Sequence, residues 1–309
     1  MSRRRRRAIG PPGLLLVDKP TAVSSATATR AIGRRFGLDP VGHTGTLDPA
    51  ATGLLVVCTG YGTRLVPWLQ EGEKVYTASV RFGAETSTGD GEGEITRSAP
   101  VPMDLWESLR VVIPQFTGVI TQVPPIFSAI RIGGQRAHAL ARMGALDDDA
   151  VPPREVTIHD LTILGIQGDE VSLQVTCSPG TYIRSLAVDL GRTLGSAAHL
   201  SALRRSRTGG FDVADAVPLD TLLEMEAPGP HWRPLPDALP HWQLRPLDGE
   251  ELALVLNGGP VEDTGGLGEG PVILVDADGS AVAVGEVVEE EPGPRVVVRR
   301  MLRDVVRES

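Results

Sequence analysis

Two kinds of apolar pattern run along this chain, and the change from one to the other marks its elements. Leu14 to Val17 and Leu54 to Cys58 are unbroken apolar runs, the signature of strands covered on both faces. In YTASVRF, Tyr76, Ala78, Val80 and Phe82 alternate with Thr77, Ser79 and Arg81, which predicts a strand with one face in a core. Helical spacing takes over from Ser24 to Phe36, opened by a serine cap and closed by Gly37. It returns after Thr181, where Ile183, Leu186, Ala187, Leu190 and Leu194 share a face ahead of Gly195. A short helix is expected around Leu65 to Leu69. Strands and helices mix without a regular βαβ rhythm, so the expected class is α+β rather than a doubly wound sheet.

The Pro-rich stretch APGPHWRPLPDALPHW at 227–242 reads as loop and as the domain boundary. Beyond it, ILVD at 273–276, AVAVGEVV at 281–288 and RVVV at 295–298 are β-branched runs broken by ADG and EPGP, which predicts a compact all-β module over 241–309. The larger unit is expected over 13–235, preceded by a disordered basic tail at 1–12. No internal repeat is visible.

With 309 residues, 41% of them apolar and 22% charged, the chain has the composition of a globular protein. No apolar run approaches the roughly 18 residues of a membrane span, and MSRRRRR is not followed by a signal-type core. The expected location is therefore the cytoplasm. Cys58 and Cys177 sit in apolar strand-like runs outside any CxxC or Cys/His cluster, which fits buried thiols and offers no zinc site. A net charge of −9 argues against a nucleic-acid binder until it is mapped: residues 241–309 carry 14 acidic and 6 basic side chains, a net of −8. The remainder is close to neutral, with arginines gathered in Arg3 to Arg7, at Arg34 and Arg35, and at Arg204, Arg205 and Arg207. An RNA-facing surface is permitted by this layout; a solvated face explains each cluster equally well.

The densest group of unusual residues is GHTGTLDPAATG at 42–53. Its glycines suggest a phosphate loop, but Gly53 is followed by Leu54 and Leu55 instead of the Lys-Ser or Lys-Thr such a loop needs. What remains is His43 and Asp48 on a constrained loop, with Pro49 fixing the backbone of Asp48. An Asp-Pro pair is in itself a turn signal and a lone histidine is usually structural, so spacing leaves both roles open. Arg184 says more. It falls in the first turn of the helix after Thr181, where the helix dipole disfavours a cation by some tenths of a kcal/mol, so it calls for a compensating anion unless it is solvent-exposed. Tyr182 beside it and Tyr76 are two of only three tyrosines. Each could be a core aromatic, or the pair could supply flat faces for an unpaired base.

Five runs taken together, GLLLVDKPTAVSS, VGHTGTLDPAATGLLVV, VPPIFSAIRIGGQRAHALAR, CSPGTYIRSLAVDLG and AHLSALRRSRTGGF, resemble the tRNA pseudouridine-55 synthase (TruB) family in order and spacing, over residues 13 to 211. The resemblance implies a pseudouridine synthase fold, with a mixed, largely antiparallel sheet, flanking helices, a thumb-like insertion at about 124–153, and a small C-terminal PUA-like β module. It implies an enzyme without cofactor or metal that acts on the T arm of tRNA, with no membrane attachment and no obligate protein partner. Asp48 matches the catalytic aspartate and Arg184 the arginine that pairs with it. Tyr76 matches the tyrosine that stacks on the target ring, His43 the residue that fills the space of the flipped base, and Tyr182 and Leu203 the lining of the uridine pocket. Lys19-Pro20 is also a family motif and reads as structural support. The chain departs from the family at Phe127 and Arg131, where tyrosine and lysine are usual; a hydroxyl is lost while the aromatic face and the cation remain.

The implied reaction needs few polar groups. Uridine loses its N1–C1′ bond, the base turns, and C5 rejoins C1′, with water kept out. A guanidinium neighbour favours the charged carboxylate that a nucleophile or base presents. Addition to C1′, attack at C6 and removal of a C2′ proton all remain open from the sequence. Extruding the base costs a few kcal/mol of stacking, which inserted side chains can offset. Rival readings are a guide-RNA-dependent relative acting on ribosomal RNA, a tRNA-folding chaperone with secondary catalysis, and a nucleoside hydrolase or phosphorylase, which should show a phosphate or calcium site.

Overall fold

The computed structural model describes residues 11–127, 131–132, 135–136, 151–263, 266–291 and 293–303. The arginine run at Arg3 to Arg7 and most of the 124–153 insertion, including 137–150, lie outside the described residues.

The main sheet is mixed and mostly antiparallel, with eleven strands among the described residues. Its principal strands are β1 (Gly13–Lys19), β2 (Val41–His43), β3 (Thr52–Thr59), β4 (Lys74–Phe82), β5 (Gly118–Gln122), β6 (Arg154–Gln167), β7 (Glu170–Cys177) and β8 (Ala198–Thr208). The order across the sheet is β1-β3-β8-β4-β7-β6-β5, with Val217–Pro218 beyond β1 and β2 on β3. The parallel pairs in this set are β3 with β8, and β1 with the short strand Val217–Pro218. The α+β class and the mixed, largely antiparallel sheet expected above are the ones observed.

Burial follows the sequence patterns. In β1, Leu14 and Leu16 face one core and Leu15 and Val17 the other, so the unbroken run serves two faces. Helix α1 (Ser25–Phe36) covers one of them with Ala28 and Ile32. Ser24 caps it by accepting from Thr27 N at 3.1 Å, and Gly37 ends it at φ 63°. At the far end of the sheet, Tyr76, Ala78, Val80 and Phe82 of β4 pack with α2 (Leu105–Val112) and α3 (Ile183–Thr193) in a third core.

A second sheet, ordered β9-β11-β12-β13-β10, is built from β9 (Gln243–Pro246), β10 (Val261–Glu262), β11 (Pro271–Val275), β12 (Ala281–Val288) and β13 (Arg295–Met301). It shares a core with the first: Ile273, Val275, Val284 and Leu302 pack with Leu14, Leu16, Leu54 and Val56. Arg64 Nη1 donates to Met301 O at 2.6 Å across the same seam. The Pro-rich stretch is correspondingly more ordered than its composition suggested. Trp232–Pro234 pairs antiparallel with Gly13–Leu15, and Leu235, Ala238 and Leu239 are buried. Prolines suit this place because an edge strand and the first turn of a helix each leave an N–H unneeded.

The two halves of the main sheet meet where β3 lies against β8. Gly53 has φ 103°, and a Cβ there would lie 2.2 Å from the carbonyl oxygen of Arg205. Gly53→Ala is therefore expected to destabilise the fold by about 1–3 kcal/mol from backbone strain alone, with the clash added. Denaturant unfolding measures it, and an unchanged midpoint would contradict this close approach.

Candidate active site

One row of the sheet register builds the site: Gly53, Arg205, Tyr76 and Val175 stand opposite one another on β3, β8, β4 and β7. Paired residues point to the same face, so Tyr76 and Arg205 are neighbours by register. Five residues before Gly53, the loop that carries Asp48 crosses above this row.

That loop is clamped along its length. Ser25 Oγ donates to Leu47 O at 2.9 Å and accepts from Leu47 N at 2.8 Å. Lys19 Nζ donates to Pro49 O at 3.3 Å, and to Pro20 O and Val23 O at 2.7 Å each. Arg205 Nη2 reaches Gly45 O at 3.1 Å, while its guanidinium also donates twice to Leu54 O, at 2.8 and 2.9 Å. Asp48 is thus held from three directions with its side chain still 43% exposed.

The anion that Arg184 calls for is Asp48. Arg184 Nη2 lies 2.9 Å from Asp48 Oδ2, and Nη1 lies 3.7 Å from Asp90 Oδ2. The guanidinium is only 6% exposed and donates further to Thr88 O and Phe127 O, each at 2.9 Å. As N2 residue of α3 it stands where the dipole opposes it, and the two carboxylates with two carbonyls compensate. The side chain of the N-cap residue, Tyr182, makes no cap hydrogen bond. The buried Gln122 amide pairs with its backbone instead, accepting from Tyr182 N at 3.1 Å and donating to Tyr182 O at 3.3 Å.

Beside the Asp48–Arg184 pair opens a cavity of about 320 Å³. Tyr76, Tyr182, Leu203 and Ile183 give it apolar and aromatic walls; Asp48, Arg184, Lys74 and Arg205 give it charge. The Arg154 guanidinium sits 5.5 Å from the centre of the Tyr182 ring, a distance at which a cation stacks on an aromatic face. Tyr76 is buried, and burial raises its phenol above the ordinary value although Arg205 faces it and works the other way.

Five of the six residues singled out from the sequence, Asp48, Tyr76, Tyr182, Arg184 and Leu203, come together on this cavity. His43 is not among the residues lining it. It ends β2, opposite Val57, and its Nδ1 is buried without a hydrogen-bond partner. Burial first, and the nearby Arg205 second, lower its pKa.

Comparison with known proteins agrees with the geometry. Residues 34–183 match the TruB family pseudouridylate synthase N-terminal domain, and residues 184–231 match the tRNA pseudouridylate synthase B C-terminal domain. A tRNA pseudouridine synthase B of Stutzerimonas stutzeri is 37% identical over 94% of this chain and 95% of its own length. One from Aromatoleum aromaticum is 42% identical over 80% of each. The chain belongs to the TruB family of pseudouridine synthases. Among solved structures, the Cbf5-Nop10-Gar1 complex contains a chain of the same fold, with a TM-score of 0.70 at 24% identity over 96% of this chain and 91% of that one.

Several groups at or beside this cavity were not singled out from the sequence. Arg205 read as one of three clustered arginines, yet it is 1% exposed and donates inward. Asp90 lay in the polar run TGDGEGE, which reads as a turn. Lys74 opens β4 and donates to Gln70 O at 3.0 Å and Gly72 O at 2.9 Å. A faint signal existed for Arg205: it keeps the two-residue period of β8 with Leu203, on the face opposite Arg204.

Burial lowers the pKa of Lys19 to about 8, against the pull of Asp48, and lowers that of Lys74 to about 8 as well. Both are charged below that pH and lose a proton above it. A neutral amine has two N–H donors, so Lys19 can no longer serve three carbonyls. Turnover is expected to fall as pH rises through about 8, read from kcat between pH 6 and 10; a flat profile to pH 10 would contradict this role for the two ammonium groups.

Proposed function

We propose that this chain converts uridine 55 in the T loop of tRNA to pseudouridine, with Asp48 as the catalytic carboxylate. The observation that carries the assignment is the Asp48–Arg184 pair at 2.9 Å on the edge of a cavity walled by two tyrosines. Membership of the TruB family and relatives named tRNA pseudouridine synthase B supply the reaction and the substrate.

In this reading the target base leaves its stack and enters the cavity. Tyr76 stacks on the ring, while Tyr182 and Leu203 bound it, and a cavity of about 320 Å³ falls in the range of small-molecule sites. Asp48 meets the nucleoside from the loop clamped above. Arg184 orients the carboxylate and balances its charge, and the apolar walls exclude water while the base is detached from the sugar. The bond from C1′ to N1 breaks, one from C1′ to C5 forms, and the C5 proton is replaced by one at N1, so nothing is oxidised or consumed. His43, at the end of β2 just before the Asp48 loop, is assigned by the family resemblance to fill the stack once the base has left. The substrate element is the T arm, the enzyme acts in the cytoplasm, and it acts without an obligate protein partner. Among the described residues no helix is long and apolar enough to cross a membrane, and no group of three His, Cys, Asp or Glu side chains could hold a metal ion.

Incubating an unmodified tRNA transcript with the protein and mapping pseudouridine tests the assignment. Asp48→Asn is expected to lower kcat by a factor of about 10³ or more, with product from wild type confined to the T loop; equal product from both proteins would refute the role of Asp48.

Tyr76→Leu removes a stacking face worth about 1–3 kcal/mol. It should lower kcat roughly 5- to 150-fold while tRNA Kd changes little, since many other contacts hold the tRNA. An affinity loss with turnover intact would count against stacking at the reacting base.

A further inference from the structure

Arg184 is oriented by a segment that is itself anchored elsewhere. Thr88 O and Asp90, two of its partners, lie in the turn of a hairpin formed by Ala84–Thr86 and Ile95–Ser98. The turn is internally tight: Asp90 Oδ1 accepts from Thr88 Oγ1 at 2.5 Å and from Glu92 N at 3.1 Å, and Thr86 Oγ1 donates to Asp90 O at 2.6 Å. At the base of the same hairpin stands Glu85, whose side chain is 5% exposed. Its Oε1 accepts from Arg97 Nε at 3.0 Å and Arg192 Nε at 3.1 Å, and its Oε2 from Arg192 Nη2 at 2.8 Å. Arg97 also donates to Ser196 O.

Arg192 and Arg184 are on one helix, α3, eight residues apart, which is about 12 Å along its axis. The hairpin is therefore fastened to α3 at two levels, through Glu85–Arg192 near the helix end and through Thr88 and Asp90 at its start. A rigid helix and a tight turn fastened twice leave the turn little freedom to slide. Burial works against ionisation of Glu85, but hydrogen bonds from Arg192 and Arg97 outweigh it and its carboxyl titrates below the ordinary value.

We propose that Glu85, Arg97 and Arg192 form a positioning cluster that sets the height of the Thr88–Asp90 turn on α3 and so aims the Arg184 guanidinium at Asp48. None of the three is among the residues lining the cavity; in this proposal they act through Arg184. The proposal rests on the reading of Asp48 and Arg184 as the working pair.

Arg192→Gln is the first test, because that side chain is 62% exposed and glutamine keeps a donor for Glu85, with thermal unfolding measured alongside; Glu85→Gln is the second. Each should lower kcat by up to about a hundredfold, the range for misplacing a reacting group by about 1 Å, with KM and tRNA affinity little changed. Arg192→Lys, which keeps one donor, should recover part of the loss. In an Arg184→Lys background, Arg192→Gln should add little, since both changes act through one group. Full kcat in Arg192→Gln, or losses that multiply independently with Arg184→Lys, would overturn the proposal. Should Glu85→Gln fail to fold, the Arg192 arms decide. A readout independent of turnover is nuclear magnetic resonance of the arginine side chains: rotation of the Arg184 guanidinium should quicken in Arg192→Gln, and an unchanged rate would also overturn the proposal. Wild type that forms no pseudouridine would count against the functional reading alone, because the resonance measurement still judges the cluster.

Discussion

A guanidinium withdrawn from water at the start of a helix is the constraint around which this protein is arranged. Arg184 is nearly inaccessible, and it stands where the helix dipole is unfavourable to it. Removing a buried cation from solvent is favourable only when its donors are met by well-placed acceptors, and here they come from three segments: the Asp48 loop, the Thr88–Asp90 turn and Phe127. Because Asp48 is 43% exposed, solvent screens its attraction to Arg184, and the pair adds modestly to stability. What it supplies is position. One oxygen of the carboxylate is turned to the guanidinium, and the group stands at the edge of a cavity where a sugar can reach it.

The same logic explains how many backbone carbonyls are spent on cations here. Lys19, Lys74 and Arg205 each donate to carbonyl oxygens of loops or strand ends. A loop of glycines and small residues such as 42–53 has few side chains with which to hold itself, so its unpaired carbonyls must be met from outside. Buried Lys19 of β1 meets Pro49 O, and buried Arg205 of β8 meets Gly45 O. The stretch between β2 and β3 is held without a helix or ladder of its own, and Asp48 gains a fixed address at a place where Gly53 lets β3 and β8 approach closely.

Legibility in the sequence follows the range of the interaction. The caps at Ser24 and Gly37, the alternation of β4 and the helical spacing after Thr181 depend on neighbours a few residues away, and each was readable. Asp48, Tyr76, Tyr182, Arg184 and Leu203 were readable through motifs and through the anomaly of a cation in a first helical turn. Arg205 was hidden because its acceptors are 160 and 151 positions away, and among arginines a buried one looks like its exposed neighbours. Asp90 was hidden because a turn-forming aspartate and one that balances a distant guanidinium have the same local sequence. The stretch 227–242 misled for a related reason: prolines mark loops on average, but they are also tolerated on an edge strand and at a helix start, and only the pairing of Trp232–Pro234 with β1 distinguishes the cases.

The arrangement of the two sheets bears on the charge that first argued against an RNA substrate. The module after Gln243 carries nearly all of the net negative charge, and it is joined to the main sheet through a shared apolar core built on Leu14, Leu16, Leu54 and Val56. A tethered acidic module could wander across an RNA-binding face. One that buries Ile273, Val275 and Leu302 against β1 and β3 cannot do so without exposing that core. Over the roughly 8 Å that separates screened from unscreened charges at physiological salt, an incoming phosphate senses the local arginines and lysines rather than the sum over the chain. Net charge in such a molecule governs solubility and long-range encounter, while the local field at the cavity is set by Arg184, Arg205 and Lys74 with Asp48, and by Asp90 behind Arg184.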